Sequence, residues 1–438
     1  MISITRRTFG AVAAGGALFA SDIASPAIAA GPAKIVIIGG GAGGATAAAR
    51  LKSADPKLDV TIIEPKTQYT TCFYSNLYLG GFRSFQSITH TYDGVKKRGV
   101  TVVTDTASAV DTTAKTVTLA SGGSTLSYDK LIMAPGIDFK FDAIEGYSEQ
   151  AAEIMPHAWQ GGPQTWSLKE KLLALPDGGL VVMTVPANPY RCPPGPYERA
   201  CMIGHFLKAR KPRSKLILLD AKRMYSKQAA FEEAFAEYYA GVVEIALTNE
   251  IDDFAVQRVD PATGLIVTKT GRKETAALAN IIPPQRAGAI AQRAGLTDGD
   301  WCPVKPGFFS STLAKDVYVI GDAAVAAEMP KSAFAAASHA GVAVSDIIAD
   351  LAGKPHEAGQ PRNTCWSMVA PQNSIKIGAD YKPGVKDGKP ILTPIEPFVS
   401  KPGESVEMRL QQFQESSDWY RSATAEMFGT DPAQSEAP

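Results

Sequence analysis

A glycine-rich turn between two β-rich runs constrains the fold of this chain more than any other feature. The first run ends in a turn that carries Gly39, Gly41 and Gly44, an alanine-rich helical stretch follows, and the second run ends at Glu64. This is the spacing of a dinucleotide-binding βαβ unit. In such a unit the glycines allow a tight turn, close approach of a pyrophosphate and close helix packing, and the acid accepts hydrogen bonds from a ribose. The sequence therefore predicts an α/β domain that binds a dinucleotide.

Two later segments favour FAD over NAD as that dinucleotide. One apolar run ends at Pro135 and Gly136, and another, far along the chain, ends at Gly321 and Asp322. A strand ending in Gly-Asp is also ordinary turn chemistry, but the order of the three segments favours a cofactor site. The two later segments resemble motifs of the glutathione-reductase-like flavoproteins. That resemblance implies that Asp322 contacts the ribityl chain and pyrophosphate region of FAD.

A second βαβ unit is predicted between these motifs. Apolar runs near residues 178–184 and 215–219 are typical of parallel strands, and the later one is followed by Asp220. The turn at residues 185–195 is rich in proline rather than glycine. Proline has no N–H donor, and bulky side chains block the approach of a pyrophosphate. We therefore predict a domain with an NAD-like fold that does not bind NAD, which argues against an NADH dehydrogenase.

The predicted fold class is α/β, with two Rossmann-like dinucleotide-binding domains and a C-terminal α+β domain. The FAD-binding domain is discontinuous and comprises residues 31–150 and 285–360. The NAD-like domain comprises residues 151–284, and residues 361–438 are predicted to cover the flavin or to form an interface. The last ten residues are predicted to be disordered.

Residues 1–30 are predicted to be an export signal and not part of the fold. They contain the pair Arg6 and Arg7, a short apolar run, and a small-x-small site at residues 27–29. These features are typical of a twin-arginine signal, which predicts a periplasmic protein. The apolar run is too short to cross a bilayer core of about 30 Å. No run of 18 or more apolar residues follows in the sequence, so no membrane span is predicted.

The overall composition restricts the kinds of ligand and partner that the chain is predicted to bind. The chain has 44 basic and 44 acidic residues, which argues against binding of nucleic acid over a broad basic face. Five cysteines are present, and an odd count in an oxidising compartment leaves one cysteine for another role. The chain has no Cys-x-x-Cys-His sequence for attachment of a c-type haem, and no metal site is predicted.

With these motifs and cysteines, the sequence resembles the flavoprotein subunit of flavocytochrome c sulfide dehydrogenase over nearly its whole length. The resemblance implies that Cys72 bonds covalently to FAD, and that Cys192 and Cys365 form a redox disulfide over the flavin. It also implies an acid–base role for Glu198, sulfide as the substrate, and a c-type cytochrome subunit that carries the haem. Related sulfide:quinone oxidoreductases share the fold but have C-terminal membrane-binding helices, which are not evident in this sequence.

The residues alone leave other interpretations open. Cys72 can be a buried thiol, the pair Cys192 and Cys365 a purely structural disulfide, and Glu198 an ordinary acid at a helix start. Lys227 is expected to be a solvated lysine rather than an active-site residue. Two alternative functions also remain, an NAD(P)H-linked flavoprotein reductase and a non-catalytic flavoprotein accessory to a sulfur-oxidation complex.

Four further residues have no predicted role in catalysis. Cys201 and Cys302 are expected to form a structural disulfide or to stay as buried thiols. His157 and His339 are expected to be packing or hydrogen-bonding residues.

Overall fold

A computed structural model describes residues 31–431 of the chain. The predicted export signal at residues 1–30 lies outside the described residues, as does most of the C-terminal segment that was predicted to be disordered. The domain boundaries given above therefore remain predictions, and the following paragraphs concern the described part of the chain.

The order of helices and strands is that of a repeated βαβ arrangement followed by a separate antiparallel sheet. The strands are β1 (Lys34–Ile38), β2 (Asp59–Ile63), β3 (Gln68–Thr70), β4 (Thr89–Thr91), β5 (Thr101–Val103), β6 (Ala107–Asp111), β7 (Thr116–Leu119), β8 (Thr125–Ser127), β9 (Lys130–Met133), β10 (Ile137–Phe139), β11 (Leu180–Val185), β12 (Lys215–Asp220), β13 (Val243–Leu247), β14 (Val256–Asp260), β15 (Leu265–Thr268), β16 (Lys273–Thr275), β17 (Leu278–Ile281), β18 (Gln285–Ala287), β19 (Cys302–Pro303), β20 (Val317–Val319), β21 (Ala324–Val325), β22 (Arg362–Ala370), β23 (Asn373–Lys386) and β24 (Lys389–Val399). The helices are α1 (Ala42–Ala54), α2 (Ser75–Gly80), α3 (Asp93–Lys97), α4 (Ala151–Ile154), α5 (Pro163–Ala174), α6 (Gly195–Arg210), α7 (Gln228–Tyr238), α8 (Ala289–Arg293), α9 (Ala333–Leu351) and α10 (Val406–Phe428).

The first large sheet is parallel and has the strand order β20-β9-β1-β2-β5. Its strands are short apolar runs, and residues 35–38 of β1 are all buried because helices cover both faces. Strand β20 joins this sheet although almost 200 residues separate it from β9, so the sheet is assembled from two distant parts of the chain.

A second parallel sheet has the order β13-β12-β11-β17. Strand β11 was predicted at residues 178–184 and lies at 180–185, and β12 extends one residue beyond the predicted 215–219. Helix α6 follows β11 directly, which gives the second βαβ unit. Two parallel sheets with crossover helices confirm the predicted α/β fold with Rossmann-like units.

The C-terminal region consists of the antiparallel sheet β22-β23-β24 and the long helix α10. Helix α10 is capped before its first residue by Ser405, whose side chain accepts a hydrogen bond from the Met408 N–H. Gly429 follows its last residue and adopts a left-handed conformation with φ of 68°. It packs on β23 and on α1. The C-terminal region is therefore attached to the first domain by the helix that ends the described chain.

One helix within residues 31–431, α9, is long and apolar enough to cross a membrane. It packs along α1, and its buried face includes His339 and Asp346. The Asp346 carboxylate accepts a hydrogen bond from the Tyr318 hydroxyl at 2.8 Å. Because core helices meet the same criteria of length and composition, this helix is weak evidence for a span.

Candidate functional site

A cleft of about 1460 Å³ lies where the strands β1, β2, β9 and β20 end. This is the edge at which ligands bind in open parallel sheets. Almost all the predicted cofactor residues line this cleft: Gly39, Gly41, Glu64, Cys72, Pro135, Gly136, Gly321 and Asp322. The structure thus brings together residues that are almost 300 positions apart in the sequence.

Two glycines of the turn are required by close backbone contacts. Gly39 has φ of +99°, and a Cβ atom on it would lie 2.2 Å from the Ala134 carbonyl oxygen. Gly44 does not line the cleft, but a Cβ atom there would lie 1.9 Å from the Gly39 carbonyl oxygen. These approaches let α1 start directly beneath the turn, so its free N–H groups face the cleft.

The Glu64 carboxylate is fixed by backbone donors. One oxygen accepts from the Gly40 N–H at 2.9 Å and the other from the Lys66 N–H at 3.1 Å. Glu64 is buried but lines the cleft, and each carboxylate oxygen can accept more than one hydrogen bond. Its contact with a ribose stays a prediction.

Two buried polar atoms in the cleft lack partners among the described residues. They are Oδ1 of Asp322 and Nη2 of Arg191. Their other ends face each other, since Nη1 of Arg191 lies 3.6 Å from Oδ2 of Asp322. Buried polar groups are normally hydrogen-bonded. A ligand with hydroxyl groups, such as the ribityl chain of FAD, would satisfy both atoms, so the residues present fit that cofactor.

A second cavity adjoins the cleft and shares Cys72 and Arg191 with it. Its wall includes Cys192, Glu198 and Cys365, so the predicted catalytic residues surround one space. All five cysteines lie in the described residues and are free thiols, so the pair Cys192 and Cys365 is not joined in this structure. The rest of the wall combines Arg199 and small, polar and aliphatic residues with seven aromatic side chains: Phe73, Tyr74, Trp159, Phe334, Trp366, Phe413 and Trp419.

Cys192 lies in the proline-rich turn between β11 and α6. Its backbone is left-handed, with φ of 57°, and its N–H donates to the Lys331 carbonyl at 2.8 Å. A Cβ atom on Gly195 would lie 2.8 Å from the Cys192 sulfur, so a glycine leaves room for that thiol at the start of α6. The turn that would hold a pyrophosphate in an NAD domain therefore presents a thiol to the second cavity instead.

The acid at the end of β12 is also engaged within the protein. Asp220 is fully buried, accepts a hydrogen bond from the Tyr197 hydroxyl at 2.6 Å, and forms an ion pair with Lys222. In an NAD domain this position would contact the ribose. The second domain therefore has an NAD-like fold in which this acid is engaged within the protein, and the absence of an NAD site stays a prediction.

Glu198 connects the three segments that carry the cysteines. One carboxylate oxygen accepts from Asn76 Nδ2 at 2.8 Å, and the other accepts from the Met368 N–H at 2.9 Å. Asn76 follows the Cys72 turn, and Met368 belongs to the same strand as Cys365. Burial raises the pKa of Glu198, partly offset by these hydrogen bonds. Its surroundings are those of a partly buried acid on the cavity wall, not of a surface acid.

The C-terminal helix α10 holds the segment that contains Cys72. The Tyr74 ring stacks on Tyr420 with centroids 4.1 Å apart, and the Thr71 hydroxyl lies 3.2 Å from the Tyr420 oxygen. Trp419, one residue earlier, contacts Phe73 and lines the cavity. The C-terminal region therefore covers the cavity and fixes the turn that carries Cys72.

The sequence did not predict the environments of two residues of the site, Lys227 and Arg191. Lys227 was expected to be solvated, but it is only 4% exposed and its ammonium donates to main-chain and side-chain oxygens of β22 and β23. Arg191 was not among the site residues predicted from the sequence. Both contacts join positions more than 100 residues apart, so no local pattern in the sequence announces them.

The remaining residues occupy the core. Cys201 and Cys302 are buried free thiols, the second of the two states expected for them. His157 packs on Phe139, and His339 stacks on a core phenylalanine and accepts from the Gly321 N–H. Within residues 31–431, no group of three or more histidine, cysteine, aspartate or glutamate side chains is arranged to hold a metal ion.

Three models of protein families match consecutive parts of the chain. Residues 33–160 match pyridine nucleotide-disulphide oxidoreductase, and residues 165–283 match the central region of the sulfide dehydrogenase [flavocytochrome c] flavoprotein chain. Residues 359–428 match the flavin-binding region of flavocytochrome c sulphide dehydrogenase. The chain belongs to the family of sulfide dehydrogenase and sulfide:quinone oxidoreductase flavoproteins.

The individual proteins to which this chain is similar carry the names of that family. The mitochondrial sulfide:quinone oxidoreductase of Dictyostelium discoideum is 24% identical over 368 residues, 80% of this chain and 78% of the relative. The sulfide dehydrogenase [flavocytochrome c] flavoprotein chain of Chlorobaculum thiosulfatiphilum is 48% identical over 46 residues, 10% of this chain and 96% of the relative. The solved sulfide:quinone oxidoreductase of Aquifex aeolicus has a TM-score of 0.69 at 18% identity, covers 91% of this chain and 93% of its own, and supports the fold. The flavin-binding region supports FAD as the cofactor.

Proposed function

We propose that this flavoprotein oxidises sulfide through a Cys192–Cys365 disulfide and passes the electrons by way of FAD to a c-type cytochrome subunit. The observation that carries the proposal is the single cavity that both thiols line, because it shares Cys72 and Arg191 with the dinucleotide cleft. A sulfur pair placed there can exchange electrons with a cofactor in the cleft. We place the reaction in the periplasm on the basis of the twin-arginine pattern in residues 1–30.

The chemistry begins with hydrosulfide as a nucleophile and the disulfide as its electrophile. Attack on one sulfur forms a persulfide on that cysteine, breaks the S–S bond, and leaves the other cysteine as a thiolate. Transfer of the outer sulfur to a second hydrosulfide gives a hydrogen disulfide ion and leaves both cysteines reduced. The thiol and the thiolate return to the disulfide by losing two electrons and one proton, and FAD held by the residues of the cleft would supply the two-electron acceptor.

The chain supports these steps through the side chains around the cavity. Glu198 can hold a proton on the cavity wall because burial raises its pKa, and Asn76 and Met368 keep its carboxyl in place. Seven aromatic side chains of the wall place apolar surface around the sulfur atoms. FAD, when bound by the residues of the cleft, supplies an acceptor of two electrons that can release them one at a time.

We also propose that Cys72 forms a thioether with FAD, since Cys72 lines both the cleft and the cavity. We expect acid-denatured wild-type protein to give a yellow pellet whose intact mass exceeds that of the apoprotein by one FAD. The Cys72→Ser variant should give a colourless pellet at the apoprotein mass, while its native form still binds flavin. A colourless wild-type pellet at the apoprotein mass would refute the linkage.

The acceptor is tested by supplying sulfide to the isolated flavoprotein in an anaerobic stopped-flow instrument. We expect sulfide to bleach the flavin at about 450 nm, and a c-type cytochrome to restore the colour at least about tenfold faster than a soluble quinone. Faster reoxidation by the quinone would assign this chain to quinone reduction, as the relative from Dictyostelium discoideum is named. Bleaching by NADH would favour an NAD(P)H-linked reductase, and failure of sulfide to bleach the flavin would favour a non-catalytic accessory protein.

A further inference from the structure

The two sulfur atoms of the cavity have different surroundings. Asn363 Nδ2 lies 3.4 Å from the Cys365 sulfur, and the protonated thiol can instead donate to Asn363 Oδ1 at 3.6 Å. No hydrogen bond to the Cys192 sulfur is formed within residues 31–431. The orientation of the Asn363 amide is fixed because its oxygen accepts from the Ser332 hydroxyl at 2.6 Å, while that hydroxyl oxygen accepts from the Ala335 N–H. The Asn363 nitrogen is therefore left to donate to Cys365.

A buried ammonium lies on the same side of β22. Lys227 Nζ donates to the Ser367 hydroxyl at 2.8 Å, to the Cys365 carbonyl at 3.1 Å and to the Ile375 carbonyl at 3.3 Å. Side chains two apart on a strand point to the same face, so Ser367 and Cys365 share a face of β22. The Lys227 ammonium is consequently on the face from which the Cys365 thiol projects.

The charge of Lys227 is not neutralised by an ion pair in the described part of the chain. The buried Lys222, by contrast, is paired with Asp220. Burying an ammonium among neutral oxygens is unfavourable unless an anion is near. Burial lowers the pKa of Lys227 to about 8, and the groups that oppose this effect when ionised are Cys365, Glu198, Cys192 and Cys201. Among these groups Cys365 has the largest effect.

We propose that Lys227 is a positioning residue that, together with Asn363, makes Cys365 the sulfur that carries the thiolate. This inference rests on the proposed function, and it specifies which of the two sulfur atoms hydrosulfide attacks in the first step. Hydrosulfide attacks the Cys192 sulfur and forms the Cys192 persulfide, the S–S bond breaks, and its electron pair stays on Cys365. Two cations lie near Cys192. Arg191 is directed to Asp322 in the cleft. Arg199 lines the cavity and donates its hydrogen bonds to the Asn76 and Asn280 side chains and to the main-chain carbonyls of residues 157 and 158.

The surroundings of the two thiols agree with this direction. Burial raises the pKa of both thiols, and the charge of Glu198 adds to the increase for both, but for Cys365 the Asn363 hydrogen bond and Lys227 oppose it. For Cys192 the charges of Cys365, Glu198 and Cys72 add to the increase, and Arg191 opposes it.

The test measures thiol reactivity and needs neither sulfide nor turnover. The holoprotein is reduced, freed of reductant and alkylated anaerobically with iodoacetamide between pH 6 and pH 10, and the labelled peptides are quantified by mass spectrometry. We expect Cys365 to react at least about tenfold faster than Cys192 at neutral pH, because the thiolate is the reactive form. Lys227→Met should remove most of this difference, and Lys227→Arg should retain it.

Lys222→Met is the matched control, since it removes a second buried lysine of the same region whose charge Asp220 neutralises. It should lower stability but leave the ratio of the two alkylation rates unchanged. Faster alkylation of Cys192 than of Cys365 in the wild type, or an unchanged ratio in Lys227→Met, would overturn the proposal. If Lys227→Met does not fold, the wild-type ratio and Asn363→Leu, which should slow alkylation of Cys365, provide the test.

A second measurement locates the persulfide. Protein with an oxidised cysteine pair is mixed with one equivalent of sulfide and trapped at once with iodoacetamide. We expect the additional sulfur on the peptide with Cys192, and its appearance on the Cys365 peptide would reverse the direction. If no persulfide forms but the alkylation rates follow the expectation, the proposed function fails while the assignment of the thiolate stands.

Discussion

Cys365→Ser is expected to lower sulfide-dependent reduction of the flavin by at least about a thousandfold, as is usual when a residue that forms a covalent intermediate is removed. Serine has nearly the volume of cysteine and cannot form the disulfide, so the electrophile for hydrosulfide is lost while the cavity wall keeps its shape. The measurement is anaerobic stopped-flow reduction of the flavin by sulfide, together with the flavin content of the purified variant.

Cys302→Ser is the control for this variant, because Cys302 is a buried free thiol that lines neither the cavity nor the cleft. It should retain wild-type flavin reduction. Cys365→Ser should keep its full flavin content, since Cys365 does not line the cleft. Turnover at the wild-type rate in Cys365→Ser would eliminate the redox-disulfide mechanism, and the cysteine pair would then have a structural role.

The sequence was sufficient to predict the parts of the molecule that depend on local patterns. The glycine turn, the short apolar strands and the absence of a glycine turn after β11 are each contained within about ten residues. Such patterns reflect backbone constraints, namely a positive φ or a close approach that a side chain would prevent. They predicted the two Rossmann-like units and the edge of the first sheet where a dinucleotide fits.

The environment of the cavity depends on contacts between distant segments and was not predictable in the same way. Lys227 has the sequence context of a surface lysine, and only the packing of β22 and β23 encloses its ammonium. The same is true of Arg191, because its guanidinium lies 3.6 Å from the carboxylate of Asp322, which is 131 positions later in the chain. The resemblance to a family supplied the cysteines and Glu198, but not the cation or the amide that make the two sulfur atoms unequal.

The position of Cys72 illustrates how the two kinds of information combine. Its loop has no strong motif, and its location between the cleft and the cavity depends on α10, which begins more than 300 residues later. The aromatic contacts of Tyr420 with Tyr74 and the hydrogen bond with Thr71 fix this loop. The C-terminal helix therefore helps to form the cavity beside the cleft, although it contributes no residue to the dinucleotide motifs.

Gly44→Ala is expected to prevent flavin binding and to destabilise the first domain by about 3 kcal/mol or more, as overpacking against a fixed backbone does. The added Cβ atom would lie 1.9 Å from the Gly39 carbonyl oxygen and 3.1 Å from the Ile37 side chain. Because the first of these atoms belongs to the turn itself, relief requires α1 to move away from β1. Movement of α1 displaces the N–H groups that face the cleft, so stability and flavin binding should be lost together.

Gly43→Ala provides a matched control one residue earlier in the same helix. Its added Cβ atom would meet the Ile320 side chain at 3.2 Å, and that side chain can rotate, whereas the carbonyl beside Gly44 cannot. Alanine also favours a helix over glycine by about 1 kcal/mol, which offsets the tighter contact. We expect Gly43→Ala to keep its flavin and a melting temperature within a few degrees of wild type. The two variants are compared by thermal unfolding and by flavin content, which is measured as the absorbance at about 450 nm relative to that at 280 nm. If both variants lose flavin and stability to the same extent, the backbone contact is not the reason for glycine at position 44.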